Sequence, residues 1–233
     1  VPLAMGQQPW QTQLAFDTMM VAVGGTELYT NILSKKDAKA AASPEATKVF
    51  EAYASARALS EGSNVQDWNQ ATNMVITAKA GGQIMGDWAQ GEFQVAEQVA
   101  GEDYTCLPGL GVNEIIATGG DAFYFPKQDD PEIEAAQKEL AALMISQEVQ
   151  VAFNLKKGSL PIRGDVDLAA ANDCMKKGLA ILEAGNVLPD GVNAFSADTA
   201  GQIDDLTVEF WNDTSITVED AQARYVDIIA NAD

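Results

Sequence analysis

The stretch from Ile84 to Trp88 joins an apolar run to a glycine, a carboxylate and the largest aromatic side chain. Asp87 offers two acceptor oxygens, and Trp88 offers a flat apolar face. These groups suit a sugar ring, because a sugar has C–H faces that stack on an indole and hydroxyls that bond to a carboxylate. A plainer interpretation also fits, in which Trp88 is a core residue and Asp87 caps the helix that follows.

The sequence contains no histidine, and this absence excludes several kinds of chemistry. Catalysis by Ser-His-Asp or Cys-His groups is excluded, and so are metal sites with histidine ligands. Cys106 and Cys174 are the only two cysteines. They fit one structural disulfide in an oxidising compartment better than a metal site, and two unrelated buried thiols remain the alternative.

The charge balance excludes another class of partner. The chain of 233 residues has 14 basic and 34 acidic residues, for a formal net charge of −20 at pH 7. Phosphate backbones would repel such a surface, so we expect no nucleic-acid binding. No apolar run approaches the length of a membrane span. No signal peptide is visible, and Val1 is not an initiator, so we expect a processed, trimmed or partial chain.

Short strand-like segments alternate with helical ones, a pattern typical of an α/β protein. The residues before Gly86 are predicted to form a strand whose carboxyl end opens onto a crevice, where open α/β sheets bind ligands. The residues after Trp88 are predicted to be helical. Residues 122–125 are strand-like, and residues 130–132 begin a long helix with an apolar stripe.

Three stretches carry a resemblance to a known family: Pro2-Leu3-Ala4-Met5-Gly6-Gln7-Gln8-Pro9-Trp10-Gln11, Met85-Gly86-Asp87-Trp88-Ala89-Gln90-Gly91-Glu92-Phe93 and Lys157-Gly158-Ser159-Leu160-Pro161-Ile162-Arg163. In this order they resemble the glucose-binding members of family 1 of the extracellular (periplasmic) solute-binding proteins of carbohydrate ABC transporters. The resemblance implies an α/β, periplasmic-binding-protein-like fold (Venus-flytrap, type II), of which this chain would be the later, larger part. Residues 1–115 and 163–233 would build the C-terminal lobe, and residues 116–162 would belong to the N-terminal lobe. It also implies a disulfide between Cys106 and Cys174.

The resemblance implies a set of ligand-binding residues, and several of them have a plainer alternative. Trp10 could instead be a hydrophobic staple, Asp121 a turn aspartate, and Lys157 a favourable charge at a helix C-terminus. Relatives often carry a histidine after the position of Pro189, and Asn193 is the nearest polar substitute here, ahead of Asp190. The expected binding residues are Gln8, Trp10, Asp87, Trp88, Asp121, Lys157 and Asn193.

The predicted function is that of a two-lobed monomeric protein in the periplasm or outside the cell. It would close on a monosaccharide, glucose or a close relative, and deliver it to the membrane permease of an ABC transporter without breaking a bond. We expect no metal or organic cofactor. One rival is a glycosidase that pairs Asp87 with Asp121 or Glu92. Another is a non-catalytic interaction module whose aromatic side chains face a protein.

Overall fold

A computed structural model describes residues 1–191 and 194–233. The chain divides into two compact units, and each is described by itself. The large unit comprises Val1–Gly86, Cys106–Gly119 and Ala180–Asp233, and the small unit comprises Asp87–Thr105 and Gly120–Leu179.

Helices form most of the structure, and the strands are short. The strands are β1 (Leu3–Ala4), β2 (Gly82–Gln83), β3 (Ile116–Thr118) and β4 (Val187–Pro189). The helices are α1 (Pro9–Met19), α2 (Gly25–Tyr29), α3 (Ala38–Ala41), α4 (Pro44–Leu59), α5 (Trp68–Ile76), α6 (Gln90–Val95), α7 (Pro131–Met144), α8 (Gln147–Lys157), α9 (Asp173–Glu183), α10 (Ala197–Asn212) and α11 (Val218–Ala230).

The strands pair in parallel within the large unit. Leu3 of β1 lies opposite Gly82 of β2, and Ile116 of β3 lies opposite Val187 of β4. The strand expected directly before Gly86 is present only in part, because β2 ends at Gln83 and the apolar residues Ile84 and Met85 lie outside it. A 3₁₀ turn, Asp87–Ala89, then leads into α6.

The core of the large unit is an aromatic cluster between α1, α4, α10 and α11. The rings of Phe16 and Phe50 lie 4.9 Å apart between centroids, and Phe16 meets Tyr225 edge-on at 5.4 Å. The Tyr53 hydroxyl contacts the backbone oxygens of Thr12 and Thr207 at 3.1 Å and 3.2 Å, so its polar end is satisfied inside the core. This packing fixes α1, whose first residues were predicted to reach the ligand.

The small unit differs from the sequence prediction in one region. Residues 122–125, predicted to be a strand, are exposed and lie outside the regular elements. Every residue of α7 is exposed or half-buried, although its apolar spacing predicts a buried stripe. The exposed large apolar side chains of residues 123–153 are Phe123, Tyr124, Phe125, Ile133, Leu140, Leu143, Ile145 and Phe153.

None of the helices in the described chain combines the length and the apolar character that crossing a bilayer requires.

Candidate functional site

The small unit brings Asp87 next to a serine that the sequence prediction missed. The Ser159 hydroxyl donates to Asp87 Oδ1 at 2.9 Å. Asp87 is exposed by area, yet the protein surrounds its carboxylate closely enough that lost hydration raises its pKa above the ordinary value. The hydrogen bond from Ser159, the charge of Lys157 and the backbone amides of Leu160 and Trp88 oppose this rise. Asp87 is thus a carboxylate held in a defined orientation.

Lys157, the last residue of α8, forms an ion pair with Asp121. The Lys157 side chain is 28% exposed and that of Asp121 is 58% exposed, so solvent reaches both partners. The ammonium also lies 5.8 Å from the centroid of the Phe153 ring. The structure therefore brings the predicted residues Asp87, Asp121 and Lys157 into one polar cluster, beside the half-buried Trp88.

Two glutamines of α6 hold the end of α8 in place. Gln90 Nε2 donates to the Gly158 carbonyl at 2.7 Å, and Gln94 Nε2 donates to the Leu155 carbonyl at 2.9 Å. A Cβ on Gly91 would lie 3.4 Å from the carbonyl oxygens of residues 156 and 157, at van der Waals contact, so α6 lies directly against the end of α8. Since the last carbonyls of a helix lack partners within it, these amides cap α8. They thereby position Lys157 and Ser159.

Gly158 is conformationally required at this junction. Its φ is 83°, in the left-handed region that favours glycine, and it ends α8. An added Cβ would lie 2.4 Å from Gln90 Cβ. The Gly-Ser pair after a lysine was a readable signal for Ser159, whereas nothing in the sequence of α6 identifies Gln90 and Gln94 as caps of a helix some sixty residues away.

The other predicted ligand residues, Gln8 and Trp10, lie in the large unit at the start of α1. Trp10 is 38% exposed, and its indole Nε1 donates to Gln8 Oε1 at 2.8 Å. Gln8 Nε2 donates in turn to Asp67 Oδ1 at 2.7 Å, and Gln11 Nε2 donates to Gln8 Oε1 at 2.9 Å. Trp10 therefore presents a ring whose polar edge is held by its neighbours.

An acidic cluster lies elsewhere in the large unit. Burial raises the pKa of Asp17 to about 8, and the nearby carboxylates of Asp190 and Asp204 add to the rise. The Tyr29 hydroxyl donates to the Pro189 carbonyl at 2.8 Å.

The predicted residue Asn193 lies outside the described residues. Within the part of the chain that the structure describes, no group of three potential ligands could hold a metal ion.

The two cysteines, Cys106 and Cys174, are joined in a disulfide, as the resemblance implies.

Solved structures share this architecture over nearly the whole chain. A chitin oligosaccharide binding protein superposes with a TM-score of 0.76 at 15% identity, covering 99% of this chain and 60% of that one. A Streptococcus pneumoniae solute-binding protein, solved with the blood group A-trisaccharide, superposes with a TM-score of 0.67 at 16% identity and covers 97% of this chain. The chain has the solute-binding-protein fold. The predicted fold class is therefore confirmed, and the chain is a partial form of this fold.

Relatives by sequence carry matching names. A "probable sugar-binding periplasmic protein" of Mesorhizobium japonicum is 37% identical over 188 residues, which are 80% of this chain and 45% of that protein. An "uncharacterized ABC transporter extracellular-binding protein" of Pyrococcus horikoshii is 30% identical over 168 residues, covering 70% of this chain and 36% of that protein. This chain with the solute-binding-protein fold thus spans about half the length, or less, of the curated relatives that it matches. No protein-family model matches the chain.

Proposed function

We propose that the chain is part of a periplasmic or extracellular sugar-binding protein, which captures a monosaccharide and passes it to the permease of an ABC transporter. The observation that carries the proposal is the polar cluster of Asp87, Ser159, Lys157 and Asp121, on a fold whose relatives are named as sugar-binding proteins. Glucose or a close relative is the proposed ligand, on the resemblance of the three sequence stretches described above.

The cluster has the chemistry that a sugar requires. The carboxylates of Asp87 and Asp121 accept hydrogen bonds from hydroxyls, and the Lys157 ammonium donates to hydroxyl oxygens. The ring face of Trp88, in the same unit, offers apolar surface to the C–H groups of a pyranose. Trp10, in the large unit, is proposed as a further aromatic contact on the resemblance described above. A hydroxyl buried without a partner costs about 1–3 kcal/mol, so an epimer that misplaces one hydroxyl binds more weakly. Neither a metal nor an organic cofactor has a part in this binding.

The glycosidase alternative receives less support. A glycosidase needs one carboxyl as a general acid and a second as nucleophile or base, at a set separation. Here Asp121 is held in an ion pair with the Lys157 ammonium, and the relatives are named as binding proteins. We therefore propose a carrier that is not an enzyme.

The lobe assignment remains part of the proposal. We assign residues 1–115 and 163–233 to the C-terminal lobe and residues 116–162 to the N-terminal lobe of the whole protein. The support is the exposed apolar side chains of residues 123–153, because an amphipathic helix normally buries its apolar stripe. A large apolar surface of this kind is typical of a region that packs against further polypeptide. We propose a monomer in the periplasm or outside the cell.

Sugar titration tests the proposal. D-glucose, D-galactose and D-xylose are added to the chain, and binding is followed by NMR, which detects weak affinities. Lys157→Met should weaken the tightest of these complexes about 10- to 100-fold, because a hydrogen bond to a charged group is lost. Lys156→Met is the matched control, since this neighbouring lysine is exposed and lies outside the cluster. Equal losses in both variants would contradict the role of the cluster.

Turnover and binding distinguish the proposal from its rivals. Release of nitrophenol from nitrophenyl glycosides would favour the glycosidase, and binding without product would favour the carrier. A protein-interaction module would leave every resonance of Trp88 and Lys157 unchanged with all three sugars.

A further inference from the structure

We propose that Gln8 is a positioning residue, which fixes the orientation of the Trp10 indole by accepting its N–H. This inference rests on the proposed sugar-binding function, and it changes the role that the sequence resemblance implies for Gln8. In place of a direct contact to sugar hydroxyls, Gln8 would act through Trp10.

The first argument is the hydrogen-bonding capacity of the Gln8 amide. A carbonyl oxygen has two lone pairs, and in Gln8 they receive Trp10 Nε1–H at 2.8 Å and Gln11 Nε2–H at 2.9 Å. One of the two amide N–H groups donates to Asp67 Oδ1 at 2.7 Å. A sugar hydroxyl could therefore donate to Gln8 only by displacing a bond that the protein already makes.

The second argument is that the partners of Gln8 are themselves fixed. Gln11 is fully buried, and it also donates to the backbone oxygen of Gln66 at 3.3 Å. Gly6 lies so close that a Cβ on it would come within 1.9 Å of Gln11 Oε1, which leaves Gln11 little room to move. Asp67 is the N-cap residue of α5, and its backbone N–H donates to Gln70 Oε1 at 3.3 Å. Gln8 is thus held from two sides.

The third argument concerns what Trp10 exposes. Pro9 occupies the first turn of α1, where its restricted φ limits the backbone beside Trp10. The Trp10 side chain remains 38% exposed while its N–H is directed to Gln8. An indole held at its nitrogen is already oriented, and such a ring loses less freedom when a ligand stacks on it.

The expected size of the effect follows from that lost freedom. Without Gln8, the indole N–H would bond to water and the ring would sample more orientations. Immobilising it again on binding should weaken a stacked ligand about 2- to 10-fold. The contribution of Gln8 to the affinity should vanish when the Trp10 ring is absent.

The decisive experiment combines hydrogen exchange with a double-mutant cycle on the 233-residue chain. The indole N–H resonance of Trp10 is assigned by its loss in Trp10→Phe, and its exchange with solvent is measured without sugar. Gln8→Ala should speed this exchange several-fold. The same substitution should weaken D-glucose binding about 2- to 10-fold in the wild-type background and by little in the Trp10→Ala background.

A second test exchanges the donor and the acceptor of the hydrogen bond between Gln8 and Asp67. In Gln8→Glu a carboxylate would replace the donor that now faces Asp67, so two like charges would meet and the indole should lose protection. Combining Gln8→Glu with Asp67→Asn restores one donor and one acceptor, and asparagine is also a good N-cap for α5. The combined variant should therefore recover both the slow exchange and the affinity.

Two results would overturn the inference. One is unchanged indole exchange in Gln8→Ala, and the other is an equal loss of D-glucose affinity with and without the Trp10 ring, since that would show a direct contact of Gln8. If none of D-glucose, D-galactose and D-xylose binds the wild-type chain, the proposed function fails. The exchange measurements on the free protein would still decide whether Gln8 fixes Trp10.

Discussion

Replacing Asp17 with asparagine changes one partly buried carboxyl of the large unit into a neutral group of nearly the same shape. In the native protein, burial and the carboxylates of Asp190 and Asp204 raise the pKa of Asp17 from 3.8 to about 8. The unfolded chain releases this proton near pH 4, whereas the folded chain keeps it until about pH 8. The free energy of unfolding should therefore fall as the pH rises through this window.

The pKa shift of Asp17 sets the size of this effect on the free energy of unfolding. Each pKa unit between the folded and unfolded states corresponds to about 1.4 kcal/mol, so a rise of about four units sets an upper limit of about 6 kcal/mol. Water and neighbouring groups rearrange when a buried carboxyl ionises, which reduces the real cost. We expect Asp17→Asn to be more stable than the wild type by about 2–3 kcal/mol near pH 8, with little difference near pH 4.

Urea unfolding at about pH 4, 6 and 8 measures the difference between variant and wild type. Taking the difference removes the pH dependence that other carboxyls contribute to both proteins. Asp227→Asn is the control, because Asp227 is an exposed aspartate of α11. A stability difference that stays constant over the whole pH range would refute the reasoning, and so would a gain of equal size in the control.

Three further predictions concern the framework of the site. Gly158→Ala should destabilise the protein by about 1–3 kcal/mol in urea, because alanine is strained at a φ of 83° and its Cβ would clash, whereas Gly201→Ala in open space on α10 should be neutral or stabilising. Replacing Cys106 and Cys174 together by serine should lower the free energy of unfolding by about 2–4 kcal/mol, and an unchanged value would contradict a structural disulfide. Tyr53→Phe should lower the free energy of unfolding by about 1–2 kcal/mol at all pH values below about 9, because the Tyr53 hydroxyl contacts two buried carbonyl oxygens. A loss below the error of the measurement would mean that these contacts carry little stability.

Part of the site could be predicted because its residues sit at the ends of helices. The capping residue Asp130, the proline after it and the glycine after Lys157 all mark helix ends through local backbone chemistry. Such signals place Lys157 at the end of α8. They do not predict its ion pair with Asp121, because pairs far apart in sequence depend on the fold.

The contacts that position the site could not be predicted from the sequence. Glutamines occur on many helix surfaces, so nothing marks Gln90 and Gln94 as caps of another helix, or Gln8 as the acceptor for an indole. Each role depends on where two elements approach one another. That approach is set by packing between side chains, which periodicity does not specify.

The apolar pattern of residues 122–125 predicts a strand, and the prediction is wrong for this structure. A strand forms only when its backbone pairs with a neighbour, so a strand-like composition is not sufficient. The helix α7 was correctly predicted, because a helix satisfies its backbone internally, but its apolar stripe is exposed. The sequence thus predicts local conformation better than it predicts what a surface packs against.

The two hydrogen bonds that Gln90 and Gln94 of α6 donate to the end of α8 also couple these two helices mechanically. A ligand that displaced the Lys157 ammonium would also displace the last turn of α8. The carbonyls that accept from Gln90 and Gln94 belong to this turn and its cap. Tightening of that turn would slow amide exchange in residues 90–95, although these residues are not among the predicted binding residues. The backbone of α6 would therefore report occupancy at a distance, without a dye or a label at the site itself.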